Sequence, residues 1–310
     1  MDANTDIRLR SLSYSSLLTL HSCPRKYQLQ RLNSRVASDE DTATSVTFAF
    51  GHVVGLGIQE YITHHSIDLT YWKCFLEWDC DLLAENEKQK KSFWLAMAAV
   101  DRFISLCNSG FLADWELCYY NGKPATELSF LINFPDGFTY KGYVDAVLQH
   151  QVTGEVMVLE CKTTSATNLS ASAYKNSAQA IGYSIVLDVL FPTLSSYSVH
   201  YLIYKTKAQE YDAMPFEKSY LDRALWIRSL LLDIEIIKMY EEAGIYPMRG
   251  ESCNEFYRDC EYFGLCTLST ASITESLSEE EREKIEERLR TEFQINVSIA
   301  QLIEAQLSKE

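Results

Sequence analysis

The sequence has no uninterrupted apolar run long enough to cross a membrane. Its most apolar stretch, residues 183–204, is broken by Asp188 and Pro192. The opening residues Met1-Asp2-Ala3-Asn4-Thr5-Asp6 carry acid where a secretory signal needs positive charge, and no apolar segment follows them. Basic residues are in deficit: 28 Lys+Arg against 43 Asp+Glu leave a net charge of −15. That balance excludes a nonspecific nucleic-acid coat protein. Nine cysteines are too few for a disulfide-stapled secreted domain, and no two form a Cys-x₂-Cys pair. Internal repeats and low-complexity tracts are missing too. These absences lead us to expect a soluble cytoplasmic protein whose thiols stay reduced and open to metal or cluster ligation.

What is present is globular. A chain of 310 residues with 47% apolar and 23% charged side chains can bury one large core or two ordinary ones. The charge is uneven. Residues 1–35 hold 6 basic and 2 acidic groups, and residues 140–207 hold 5 and 4, whereas the other segments are all acidic. A local anion-binding site is therefore compatible with the overall acidity.

Periodicity predicts a helix capped by Ser13 that ends near Ser22, before Pro24, and another over 51–63. Two more are expected between Tyr71 and Cys107. Residues 126–134 and 138–148 alternate around Pro135-Asp136-Gly137, the pattern of a hairpin, and a third strand is expected over 156–161. A helix over 173–190, a strand over 198–205 and a long helix over 222–243 complete the reading. The order gives an α/β fold with a mixed sheet between helices. After Cys266, Ser278-x-x-Glu281 is a capping-box pattern opening a charged helix with Ile285, Leu289 and Phe293 at four-residue spacing. We expect one domain over 1–270 and a helical tail over 271–310, available for a partner.

Two groups of residues carry chemistry. Asp145 lies near the end of the second expected strand, and Glu160 and Lys162 at the end of the third. Alternation puts Glu160 and Lys162 on one face with Cys161 on the other. If the strands are neighbours, the two carboxylates can converge on one hard cation, Mg²⁺ or Mn²⁺, with a lysine beside it. Such residues also end many sheets by chance. Gln179 and Tyr183, at i and i+4, share a helix face able to return over these strand ends. The second group is Cys253, Cys260 and Cys266, three cysteines in fourteen residues. Three thiolates leave a tetrahedral site incomplete, and Cys23, next to Pro24, is the candidate fourth ligand. A cluster comes first and zinc second, since zinc sites more often show paired spacing. Cys74, Cys80, Cys107, Cys118 and Cys161 sit in apolar patterns and read as inert core residues.

Leu12-Ser13-Tyr14-Ser15-Ser16-Leu17, then Cys23-Pro24-Arg25-Lys26-Tyr27, resembles the opening of RecB-like nucleases of the PD-(D/E)XK superfamily that carry an iron–sulfur cluster. Gly142-x-x-Asp145, Glu160-x-Lys162, Gln179-x-x-x-Tyr183 and the late cysteines follow in that family's order, from about residue 11 to 266. The group includes the AddB nuclease domain, CRISPR-adaptation exonucleases and phage-encoded exonucleases; the compact cysteine spacing looks most like the phage-encoded members. The resemblance implies a restriction-endonuclease-like core with a 4Fe-4S cluster on Cys23, Cys253, Cys260 and Cys266 joining the N- and C-terminal segments. It implies Asp145 and Glu160 as ligands of Mg²⁺ or Mn²⁺, Lys162 as catalytic lysine, and Gln179 and Tyr183 as auxiliary residues. Glu127 stands where these proteins often carry a glutamate.

One position departs from the family. Gly-x-x-x-His, counted from Gly51, places the expected metal-binding histidine at Gly55. Either His52 substitutes as a metal ligand, or the site works without a histidine and His52 is a surface residue. The expected function is a metal-dependent DNA exonuclease acting on single strands or ends in recombination, repair or replication, in a bacterial cell or phage-infected host. Arg25, Lys26 and Arg31 are candidates to guide the backbone, and Tyr14, Tyr27 and Tyr174 to stack on bases, although tyrosines are common enough here to be core. The competing readings are a catalytically silent DNA-binding protein and a nuclease that trims DNA for CRISPR adaptation. A replication or recombination protein on the tail and self-association are further expectations.

Overall fold

A computed structural model of the protein describes residues 7–32, 46–80, 82, 91–192, 196–255 and 258–266, with single positions 280, 283, 284 and 287. The chain divides into two compact units. The larger comprises Thr44–Leu131 and Lys141–Leu230, the smaller Met1–Ala43, Ile132–Tyr140 and Leu231–Glu310.

The helices are α1 (Tyr14–Ser22), α2 (Pro24–Leu32), α3 (Val46–His64), α4 (Ile67–Glu77), α5 (Phe93–Asn108), α6 (Ala171–Lys175), α7 (Ala178–Leu190), α8 (Tyr220–Ala243) and α9 (Phe263–Cys266). The strands are β1 (Ser11–Leu12), β2 (Trp115–Leu117), β3 (Tyr119–Tyr120), β4 (Lys123–Pro124), β5 (Thr126–Asn133), β6 (Thr139–His150), β7 (Val156–Thr164), β8 (Ser196–Lys205), β9 (Glu210–Ser219), β10 (Asn254–Glu255) and β11 (Arg258–Asp259). The expected hairpin is β5 and β6, joined through a 3₁₀ turn at Pro135–Gly137.

The larger unit is a mixed sheet in the order β6-β7-β8-β9, with β2 and β5 also pairing with β6. β6 and β7 are antiparallel, β7 and β8 parallel, β8 and β9 antiparallel. The parallel step needs a crossover, and α6 and α7 supply it. Tyr183 and Leu187 of α7 pack on Val156, Val158 and Val199, while Phe50, Val54, Val100 and Phe103 of α3 and α5 pack with Met157, Leu159 and Leu202 on the other face. Helices on both faces explain why β7 begins with five consecutive buried residues instead of alternating. Gly57 lets the helical layer close up: a Cβ there would stand 2.5 Å from Val100 and 3.0 Å from Cys74 Sγ.

In the smaller unit Ser13 caps α1 as expected, in a capping box with Ser16 at 3.3 Å and 2.7 Å. Pro24 does not end the helical region. Cys23 is extended, and proline opens α2, where its missing N–H costs nothing. Arg10 pairs with Glu241 at 2.9 Å and His21 with Asp233 at 2.8 Å, which fixes α1 and the turn before β1 to the second half of α8. Ser252 Oγ donates to Ser22 O at 2.9 Å, and Arg25 N donates to Pro247 O at 3.1 Å.

The helix expected over 173–190 is broken at Asn176–Ser177 into α6 and α7. Cys80 is exposed and is not a core residue. No described helix is long and apolar enough to cross a membrane. The tail's Ser278, Glu281, Ile285, Leu289 and Phe293 lie outside the described residues, as does the expected boundary near 270.

Candidate active site

The β6–β7 ladder pairs Gln149 with Val156 and continues to Ala146 with Leu159. The next pair in register would be Asp145 with Glu160, and there the ladder stops. β7 and β8 stay paired through Thr164 and Lys205. β6 therefore leaves its neighbour at Asp145, and the Cys161 N–H donates to Asp145 Oδ2 at 2.8 Å. The Asp145 side chain takes over from the ladder and is fixed beside Glu160.

Glu160 is 1% exposed. Its Oε1 is 2.5 Å from Lys162 Nζ, and its Oε2 is buried without a hydrogen-bond partner among the described residues. Burial first, and then the charge of Asp145, push its pKa up to about 7 against the pull of Lys162. Asp145 is also raised by burial, which outweighs the Cys161 N–H and Lys162; the charge of Glu127 raises it further. Burial alone would depress the Lys162 ammonium, but the charge and hydrogen bond of Glu160 and the charge of Asp145 hold it above the usual lysine value. Glu160, buried, and Asp145, half-buried, thus face one ammonium, and with both carboxylates ionised one negative charge is in excess. That deficit and the orphaned Oε2 fit a hard divalent cation.

Gln179 and Tyr183 stand on α7 over this face, with Gln179 Nε2 donating to the Tyr183 hydroxyl at 2.5 Å. The Gln179 amide is the weakest of the influences lowering Glu160 and is committed to the tyrosine. Tyr183 meets Phe130 edge-on at 6.2 Å, and Phe130 lies over Gly142, where a Cβ would come within 2.8 Å of its ring. Glycine three residues before Asp145 is the space that admits this support.

His52 is placed elsewhere. Its Nε2 is 3.0 Å from Glu77 Oε1, and its ring stacks on Phe48 at 6.3 Å and 2°. It is not among the residues brought to Asp145 and Glu160. Gly55 has open space at its Cβ. Glu127 is exposed, with φ 46, a left-handed conformation unusual for glutamate. Its effect on Asp145 had no signal beyond the family position.

The smaller unit gathers the other group. Burial raises the Cys266 thiol, Arg25 pulls it down, and Cys23, Cys260 and Cys253 each push it up. Cys260 is raised by burial and feels Lys26 and Cys23. Cys260 N donates to Cys253 O at 2.8 Å, and Lys26 N to Cys23 Sγ at 3.5 Å. The four cysteines therefore share one neighbourhood with two cations. Arg25 also bonds Gln28, and Arg31 bonds Ser11 O and lies 5.9 Å over the Tyr27 ring, so these side chains are engaged within the fold. Tyr27, 0% exposed with its hydroxyl on Leu9 O, is a core residue, and Tyr174 packs on Tyr201 at 4.9 Å. Burial raises Cys74 and Cys118 to about 11 and Cys107 to about 12, which fits inert thiols. Among the described residues no group of three or more His, Cys, Asp or Glu stands arranged to hold a metal ion.

A model of the PD-(D/E)XK nuclease superfamily matches residues 11–267. No curated protein matches the chain. Among solved structures, a candidate exonuclease from Eubacterium rectale is 14% identical, with a TM-score of 0.48 over 87% of this chain and 95% of that one. The protein designated SSO0001 is 13% identical, with a TM-score of 0.33 over 76% and 79%.

Proposed function

Since the chain belongs to the PD-(D/E)XK nuclease superfamily, we propose that it is an active, divalent-cation-dependent deoxyribonuclease working from single strands or ends. The observation that carries this reading is the meeting of Asp145 and Glu160 where β6 leaves β7, with Lys162 2.5 Å from Glu160. Asp145 and Glu160 would hold Mg²⁺ or Mn²⁺. When bound, such an ion supplies positive charge to the scissile phosphate and acidifies a water. Lys162 offsets the negative charge that grows on the phosphate oxygens and is kept protonated for that task by its two acidic neighbours. The Gln179–Tyr183 pair, anchored by Phe130, orients the strand beside them.

Cys23, Cys253, Cys260 and Cys266 would hold an iron–sulfur cluster. The donor set is suited to iron, and Arg25 and Lys26 favour thiolates. Anaerobic protein is then brown and contains iron; a colourless protein with stoichiometric zinc would replace the cluster by zinc.

The test of activity is hydrolysis of 5′- and 3′-labelled DNA across metals. Turnover is expected with Mg²⁺ or Mn²⁺ and is lost in Asp145→Ala and Lys162→Ala. Turnover that survives both changes removes the assignment. Binding without turnover in any metal makes the chain a silent DNA-binding member of its superfamily.

A further inference from the structure

α4 and α5 leave a groove of about 720 Å³ in the larger unit. Its walls include Trp72 and Phe75 from α4 and Trp94 and Met97 from α5. Trp72, Phe75 and Trp94 are 56%, 51% and 78% exposed. They are not stray surface residues. Trp72 stacks on Phe75 at 6.0 Å, Phe75 meets Phe93 at 6.1 Å, and Phe93 meets Trp94 at 5.3 Å, so one aromatic row crosses both helices. Phe93 ties the row to the core, whereas Trp72, Phe75 and Trp94 are left largely to solvent. The inner face of α4 is filled by Thr70 and Cys74, both 0% exposed, with Trp78 one turn on. A contiguous row of exposed aromatics rimmed by polar residues is the kind of surface that marks an interaction site.

The charge around it selects the occupant. Among the described residues, the charged side chains lining the groove are Asp68 and Asp101, the second accepting the Tyr71 hydroxyl. Lys73 and Arg102, on the same two helices, do not line it. A second copy docked face to face would set acid against acid, and a DNA strand would bring phosphates to the same acids. The chain's own residues 267–310 hold 10 acidic and 5 basic groups and are mismatched in the same way. The 11 residues of α4 give the groove a wall of about three turns, roughly 16 Å long. A helix of that length presents apolar residues at i, i+4 and i+7 to a groove and cations at its flanks.

We propose that this groove docks a basic amphipathic helix of a partner protein, with Trp94 and Trp72 as anchors and Asp68 and Asp101 as the charge-reading rim. The proposal is independent of the nuclease reading.

The test titrates the full chain into a labelled leucine–lysine amphipathic peptide of about four turns and follows anisotropy. The control peptide has the same leucines with glutamate in place of lysine. The lysine peptide is expected to bind and the glutamate peptide not to. Trp94→Ala and Trp72→Ala each weaken binding about tenfold or more, and Asp68→Asn with Asp101→Asn weakens it severalfold and flattens its salt dependence. Because both tryptophans are exposed, folding and basal nuclease activity stay unchanged. Equal binding of the two peptides, or unchanged binding by Trp94→Ala, overturns the proposal. So does self-association that Trp94→Ala abolishes, which makes the groove a contact between copies. Single-stranded DNA that competes only when the tryptophans are intact assigns it to nucleic acid instead.

Discussion

Asp145 and Glu160 lie 15 residues apart and meet because two adjacent strands run in register to the point where they part. Cys23 and Cys253 lie 230 residues apart and come together only when the start and end of the chain fold into one unit. Both regions crowd groups that repel one another once ionised, but they bear the cost differently. Glu160 is buried and Asp145 half-buried, with one cation beside two acids and a Glu160 oxygen left unpaired among the described residues. The thiols are half-buried or, for Cys23, buried, and two cations lower the two whose pKa values rise. The first arrangement stores unpaired charge at one point of the sheet, and the second suits a brace between distant segments.

The largest expected effect separates the two. Lys162→Ala should reduce turnover by about 10³-fold or more, near 4 kcal/mol of transition-state stabilisation, with little change in thermal stability. A Cys260→Ser variant that lost as much turnover without losing stability would merge the two regions into one functional site.

Next comes pH. In the fold Glu160 is raised from 4.5 to about 7, by burial first and Asp145 second. Between those values the folded chain holds a proton that the unfolded chain has released. Metal-free stability therefore falls as pH rises through that window, by up to about 3 kcal/mol. Denaturation in chelator at about pH 5 and pH 8 should show this fall, with a shallower slope in Glu160→Gln. Mg²⁺ should recover stability mainly at the higher pH. A metal-free stability that is flat, or equal slopes in the two proteins, removes the buried-charge account.

The third effect belongs to the cysteines. Cys260→Ser should lower stability by about 2 kcal/mol, or roughly 5 °C, and abolish the bound metal or cluster, while residual folded protein still cleaves DNA. Iron analysis alongside thermal melts decides it.

What the sequence allowed to be read follows the same contrast. The meeting of Asp145 with Glu160 was legible because strand alternation sets their faces and only residues 151–155 separate the two strands. The edge strand β9 was not. It carries Pro215 and six charged or hydroxyl-bearing residues, including Tyr211, which an edge tolerates because one side of its backbone needs no partner. α2 was missed because Pro24 reads as a stop in a periodic pattern, yet serves as a start once Cys23 is extended. The orientation of His52 had no local signal at all, since its partner Glu77 belongs to another helix, 25 residues on.

The smallest effect tests whether the support of the carboxylate site is as local as its ligands. A Cβ at Gly142 would stand 2.8 Å from Phe130 Cζ and 3.7 Å from Tyr183. Gly142→Ala must therefore tilt the Phe130 ring. Only a side chain has to yield, so the stability cost is about 1 kcal/mol, the low end for overpacking. Phe130 holds the edge of Tyr183, and the Tyr183 hydroxyl holds Gln179, so the tilt reaches the residues over Glu160 without touching a carboxylate. The expected signature is a severalfold fall in kcat with the metal requirement unchanged, partly restored by Phe130→Leu in the same chain, which makes room for the methyl group. If Gly142→Ala costs stability alone and kcat stays level, Phe130 is core packing and Tyr183 keeps its place by other contacts. If kcat falls and Phe130→Leu restores nothing, the glycine acts on the strand that carries Asp145, not through the ring above it.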